Sequence, residues 1–226
     1  MSRRMIVPAL FGVIGVAILL WLGVWQLNRL AWKEAVLAEV EARMTAAPVD
    51  VPVGAHFEAH NYLQVMATGD LLGQEMHVLT SEKFVGPGFL VVSALRLSDG
   101  RVILVDLGFV PEDRKDEARP LGAVEVTGNL LWPNEVDGVF TPEPDRGKNI
   151  WFARDLGAMA QAVDAEPIMI VASAVRPAPE NMPKPIRVAS NIPNDHREYA
   201  ITWFSLAVVW LGMTLYLLWR IRRRTI

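Results

Sequence analysis

The chain has 226 residues, 52% of them hydrophobic, and a formal charge of −3, which is enough material for one ordinary core with apolar sequence to spare. It has no cysteine, which excludes a disulfide framework, a thiolate nucleophile and any Cys-based zinc, iron–sulfur or copper site. Six of the 22 basic residues sit at the two ends, leaving 16 in the middle against all 25 acidic residues; that formal −9 makes nucleic acid a poor partner.

The first element is an uncharged apolar run of 20 residues, Met5 to Val24, preceded by Arg3 and Arg4. As a helix it rises about 30 Å, the hydrocarbon thickness of a bilayer. A cleaved signal peptide would share the basic start. This run is longer than a usual signal core, however, and ends in Trp21, Leu22, Gly23, Val24 and Trp25 without a small-residue cleavage site, so an uncleaved anchor is expected. Leu27, Leu30, Leu37, Val40 and Met44 continue the helical spacing to about Thr45. Pro48, Pro52 and Gly54 then mark residues 46–60 as a linker onto a sheet domain of residues 61–190.

In that domain, strands are predicted over 62–68, 76–80, 89–97, 101–109, 124–131 and 168–176. Asp99 and Gly100 supply a tight hairpin turn between the third and fourth. A helix over 155–163 fits, with Asp155 as its N-cap. Few long crossovers are available, so the expected fold class is α+β: a mainly antiparallel β domain, or a small open barrel, between two membrane helices.

The second apolar run, Ala200 to Trp219, is followed by Arg220, Arg222, Arg223 and Arg224. Basic tails stay on the cytoplasmic side, so two spans (5–24 and 200–219) place residues 1–4 and 220–226 in the cytoplasm and translocate residues 25–199.

Four histidines limit any transition-metal proposal. His56 and His60 are four apart, a metal-pair spacing if helical and otherwise solvated linker residues, and they lack the order of zinc peptidases. His77 falls in a strand as a surface or cross-strand residue. His196 stands about 6 Å outside the second run on a continuous helix, where Asp195 and Glu198 resemble a capping box that makes it the first helical residue. Tyr199, Trp203, Leu206, Trp210 and Met213 share its stripe. Two uses suit such a stripe: sheltering a flat haem macrocycle headed by an imidazole, or packing and anchoring a membrane helix. Arg29, one turn past Trp25, suits a haem propionate or a partner's acidic group, and equally the commoner pairing with a lipid phosphate or a local carboxylate. No phosphate loop, dinucleotide fingerprint or nucleophile elbow is present, and no pair of carboxylates is spaced for acid–base work.

Several separated blocks stand in order along the chain. Gly23, Trp25, Gln26, Leu27, Arg29, Trp32 and Lys33 form an exit block of the pattern G-x-W-Q-x-x-R-x-x-W-K. Tyr62, Val65, Gly69 and Gly88 follow, then the hairpin block Gly100, Leu104, Val105, Gly108, Phe109, Val110 and Pro111. Phe140, Pro142, Trp151, Asp155 and Met159 come next, and His196, Tyr199, Ala200, Thr202, Trp203 and Phe204 form a closing H-x-x-Y-A-x-T-W-F. Taken together and in this order, these blocks resemble the Surfeit locus protein 1 family of cytochrome c oxidase assembly factors, in its bacterial form. Leu107 and Phe109 depart from the family's usual arginine and tryptophan, which puts a hairpin surface role in question. The resemblance implies a non-enzymatic helper for placing haem a into subunit I of the oxidase, with haem A synthase as a second partner. It also implies residence in the cell inner membrane with the middle domain periplasmic. His196 and Trp203 are the residues it links to haem a, with His196 as axial ligand of the iron; Tyr199 is added by helical spacing alone.

Overall fold

The computed structural model describes residues 3–186 and 194–224. The tips of both basic tails and the expected end of the sheet domain at 190 lie outside the described residues. The chain forms two compact units, one of residues 1–39 with 190–226 and one of residues 40–189.

In the first unit, α1 (Arg3–Met44) and α4 (His196–Arg224) are each long and apolar enough to cross a membrane. Only 6% of the most apolar stretch of either helix is buried, so their apolar side chains face outward instead of forming a core. α1 ends one residue before the expected Thr45, and α4 begins at His196 as the Asp195–Glu198 spacing predicts.

The second unit is a β domain. Its elements are β1 (Val49–Asp50), α2 (Phe57–His60), β2 (Gln64–Glu82), β3 (Gly86–Leu97), β4 (Val102–Pro111), β5 (Gly122–Leu131), β6 (Ile150–Trp151), α3 (Leu156–Ala162) and β7 (Met169–Arg176). Five strands pair in a closed ring: β2 with β3, β3 with β4, β4 with β7, β7 with β5, and β5 back to β2. All of these pairings are antiparallel except β4–β7. The mainly antiparallel sheet expected is present, but the barrel expected to be open instead closes, because β5 pairs back to β2 and leaves no unpaired edge in the ring.

Closure depends on a strand that the sequence divides in two. Residues 62–68 and 76–80 read as separate strands, but they are the halves of one 19-residue β2 with a register shift between Leu71 and Glu75. A bulge bends a strand and sharpens its twist. β2 pairs with β5 through Gln64–Leu71, with β3 through Gly69–Leu71 and again from Glu75 to Glu82 beyond the bulge, and with β6 at His77 and Val78. The interval expected as linker contributes β1 and the single turn α2.

The barrel interior is filled by Val65, Val91, Leu95, Ile103, Val105, Leu107, Val126, Leu130 and Ile170. On the outer face Leu104, Val92, Val78 and Met169 meet Trp151, Leu156, Met159 and Ala160, so α3 lies against the barrel wall. Both faces of β4 are thus covered, which accounts for the unbroken burial from Ile103 to Val110. Asp155 caps α3 by accepting from Ala158 N–H at 3.0 Å, as predicted. Leu107 is 1% exposed and belongs to the interior. At this position the chain presents core, not hairpin surface.

Candidate functional site

The first unit is built on small residues. Along α1 the buried or half-buried residues include Gly12, Gly15, Leu19, Gly23 and Gln26, a row that recurs every three or four residues. On α4 the equivalent row is His196, Ala200, Trp203, Ala207, Trp210 and Thr214. A Cβ at Gly12 would overlap Thr214, one at Gly15 would overlap Trp210, and one at Gly23 would lie 2.6 Å from the Phe204 ring. The numbers rise on one helix as they fall on the other, so the pair is antiparallel. Without side chains at those points the backbones approach closely, which is how helices associate where burial from water supplies no drive.

This seam differs from the expected stripe. Tyr199, Leu206 and Met213 are 55%, 45% and 67% exposed, while Ala200 and Ala207 are buried between the aromatic positions. The small side chains take the centre of the contact because only they permit it, and the larger ones flank it. Among the sequence-stripe residues, His196, Trp203 and Trp210 are half-buried at the seam.

At the end of the seam where α4 begins, Gln26 meets His196. Gln26 is 8% exposed, and its Oε1 lies 2.7 Å from His196 Nδ1 across 170 residues of sequence. The His196 position follows from the start of α4, where the Asp195 carbonyl accepts from Tyr199 N–H at 3.1 Å and so acts as the N-cap carbonyl. Two turns beyond His196 on the helix, the buried Trp203 Nε1 has no hydrogen-bond partner among the described residues. On α1, three residues past Gln26, the exposed Arg29 guanidinium sits 4.6 Å from the Trp32 ring centroid, a cation–π pair within the exit block.

Two polar networks of the β domain involve buried or half-buried titratable side chains near His77 and Arg154. His77 is buried rather than on the surface, its Nε2 3.2 Å from Glu75 Oε2 and its Nδ1 3.4 Å from Asn149 Nδ2. Arg119 Nη1 donates to the same Glu75 oxygen at 2.6 Å. In the second network Arg154 donates from Nη1 to buried Asp106 at 3.0 Å and from Nε to Glu135 at 2.9 Å. His56 and His60 do fall around a helical turn, with rings 4.9 Å apart, but His56 N–H donates to His60 Nδ1 and His56 Nδ1 faces Gly54 O. These contacts engage one ring nitrogen of each.

Among the described residues, no three His, Asp or Glu side chains gather to hold a metal ion. The first unit instead offers one imidazole with an indole and a phenol nearby on the same helix. That donor set suits a metal whose other ligands come from outside the chain, as they do in a macrocycle. Gln26 is the residue that sequence reasoning passed over: it stands in the exit block without a role. The usable signal was a neutral amide at the next seam position after three glycines, since a buried amide requires a partner.

Residues 13–208 match the sequence model of the SURF1 family. A SURF1-like protein of Monosiga brevicollis is 34% identical over 213 residues, covering 87% of this chain and 82% of its own length. Surfeit locus protein 1 of Xenopus tropicalis is 32% identical over 209 residues (82% of this chain, 67% of its own), and that of Homo sapiens 31% over 209 residues (82% and 69%). With the two terminal helices, the barrel between them and a family match across nearly the whole sequence, the chain belongs to the Surfeit locus protein 1 family.

Proposed function

We propose that the chain acts in cytochrome c oxidase assembly by holding haem a at His196 while the group passes from haem A synthase into subunit I. Family membership supports the assembly role. The observation that carries the haem reading is the meeting of the exit and closing blocks at Gln26 and His196, 2.7 Å apart. One ring nitrogen is engaged by the chain and the other remains for an iron. Trp203 and Tyr199 would flank the ring, Trp203 with an indole N–H that finds no partner among the described residues, and Arg29 is the candidate for a propionate. Bound, the haem would supply the redox centre that the oxidase needs; the chain's own residues hold and orient it. The function is delivery, and no catalytic residue is assigned.

In this reading both helices cross the cell inner membrane, both basic tails are cytoplasmic, and the barrel works on the periplasmic side. The test is to purify the protein from cells that make haem a and record its absorption spectrum. Wild type should carry the pigment and His196→Ala should lose it; an unchanged spectrum and occupancy in the variant removes the assignment.

A second reading is favoured by the outward apolar faces of α1 and α4, which would suit a protein partner within the bilayer. Here the chain is a haem-independent scaffold for nascent subunit I. Crosslinks to subunit I that persist at full yield after haem depletion, with no bound pigment, would establish it over the first.

A further inference from the structure

We infer that Gln26 is a positioning residue that holds the His196 ring in its Nδ1–H form, so that Nε2 is the nitrogen left to bind a metal; this rests on the haem reading above. A neutral imidazole carries one proton on two nitrogens, and only the bare nitrogen can coordinate. At 2.7 Å the Nδ1–Oε1 pair is a short hydrogen bond in which the ring N–H donates and the amide oxygen accepts. If the amide were turned over, its NH₂ would donate to a bare Nδ1, the proton would sit on Nε2, and the nitrogen away from Gln26 would be closed to metal.

Three further observations fix the pair in place. Gln26 is 8% exposed, so its amide has little water to turn toward. The neighbouring seam position is Gly23, where a Cβ would lie 2.6 Å from Phe204, and this close approach brings the Gln26 turn of α1 to the start of α4. His196 itself is the first residue of α4, with the helix anchored through Asp195 O and Tyr199 N–H behind it. The arrangement is the one that metal-binding histidines commonly use, in which a carbonyl or carboxylate takes the second ring N–H and fixes the orientation. Here an amide oxygen from the other terminal helix does so. The site is therefore assembled only when α1 and α4 are paired, and neither helix alone presents it.

The experiment has two arms on the full-length protein in nanodiscs. In the first, no haem is added, and the ring nitrogens are read by 15N NMR after histidine labelling. The chain has four histidines, and His196→Ala identifies the signals of interest. Wild type should show a protonated Nδ1 and a bare Nε2. Gln26→Leu should lose that preference, while Gln26→Glu, which keeps an acceptor oxygen, should retain it. A protonated Nε2 in wild type, or an unchanged pattern in Gln26→Leu, overturns the inference.

In the second arm, ferric haem is titrated into each variant. Gln26→Leu should weaken binding by about 10- to 100-fold, the usual cost of losing such a supporting bond, and Gln26→Glu should restore it. Should His196→Ala abolish binding while Gln26→Leu binds as wild type, the positioning role falls and the haem reading stands. Should His196→Ala bind as wild type, the haem reading falls, whatever the tautomer shows.

Discussion

Arg154 is gripped by two carboxylates whose environments push them in opposite directions. Burial alone would raise Glu135, but the hydrogen bond and charge of Arg154 prevail and hold it below the ordinary glutamate range. Asp106, 2% exposed, is pushed above its ordinary value by burial despite Arg154 Nη1 and Gly108 N–H, each at 3.0 Å. The signs therefore differ. Glu135 contributes stability above the ordinary glutamate range that is lost as pH falls through its lowered value; ionised Asp106 carries a cost that acidification relieves, starting above the ordinary aspartate range. Glu135→Gln should lower the melting temperature at pH 7, and the gap from wild type should narrow as acidification carries the pH down through the lowered range of Glu135 and protonates the native carboxylate too. A gap that stays constant with pH would mean that the charge of Glu135 is not its source. At this scale the start of α4 at His196 was legible in the sequence because a helix cap is a local pattern. Its contact with Gln26 was not: the glycine spacing marks Gln26 as an amide in need of a partner, but nothing local names a partner 170 residues away.

Among the elements, β4 shows how a strand can hide its own phase. Between Val91 and Val92 the register slips, so Gly108 faces Val91 while Asp106 faces Val92, and Leu107 is the extra residue. A sequence alternation continues through such a point without a mark. Gly108 allows the bulge: its φ is +114°, and a Cβ there would overlap the Lys184 carbonyl, whose chain bridges to Phe109. Gly108→Ala should therefore cost about 2 kcal/mol or more of domain stability, read from the urea midpoint, because strain and backbone overlap add. A variant as stable as wild type would show that the bulge relaxes freely. The hairpin at Asp99–Gly100 and the cap at Asp155 were both predictable, since each is decided within a few residues: Gly100 takes φ +89° and Asp155 bonds three residues on. Trp151 and Met159, quoted as family-like positions, prove to be the packing of α3 on the barrel, 3% and 0% exposed.

For the molecule as a whole, the decisive expectation is topology. With no native cysteine, single cysteines can report it without background. Val53, 83% exposed in the β domain, and Arg222, exposed after the second apolar run, are suitable positions. In spheroplasts, Val53→Cys should react with a membrane-impermeant maleimide, and Arg222→Cys should react only after detergent is added. The reverse pattern would invert the proposed topology, and labelling of both before detergent would remove the two-span reading.

Composition and short-range pattern were enough for two long apolar helices, an acidic β domain between them, the hairpin and helix cap, and membership of the family through blocks read in order. Only in the folded chain does the barrel close through a bent β2 pairing with β5, Leu107 become core, and Gln26 meet His196. The division has a physical reason. Helix length, capping and turn chemistry are settled by neighbours within a few residues, whereas ring closure, burial at a bulge and a hydrogen bond between the two terminal helices depend on groups brought together only when the chain has folded.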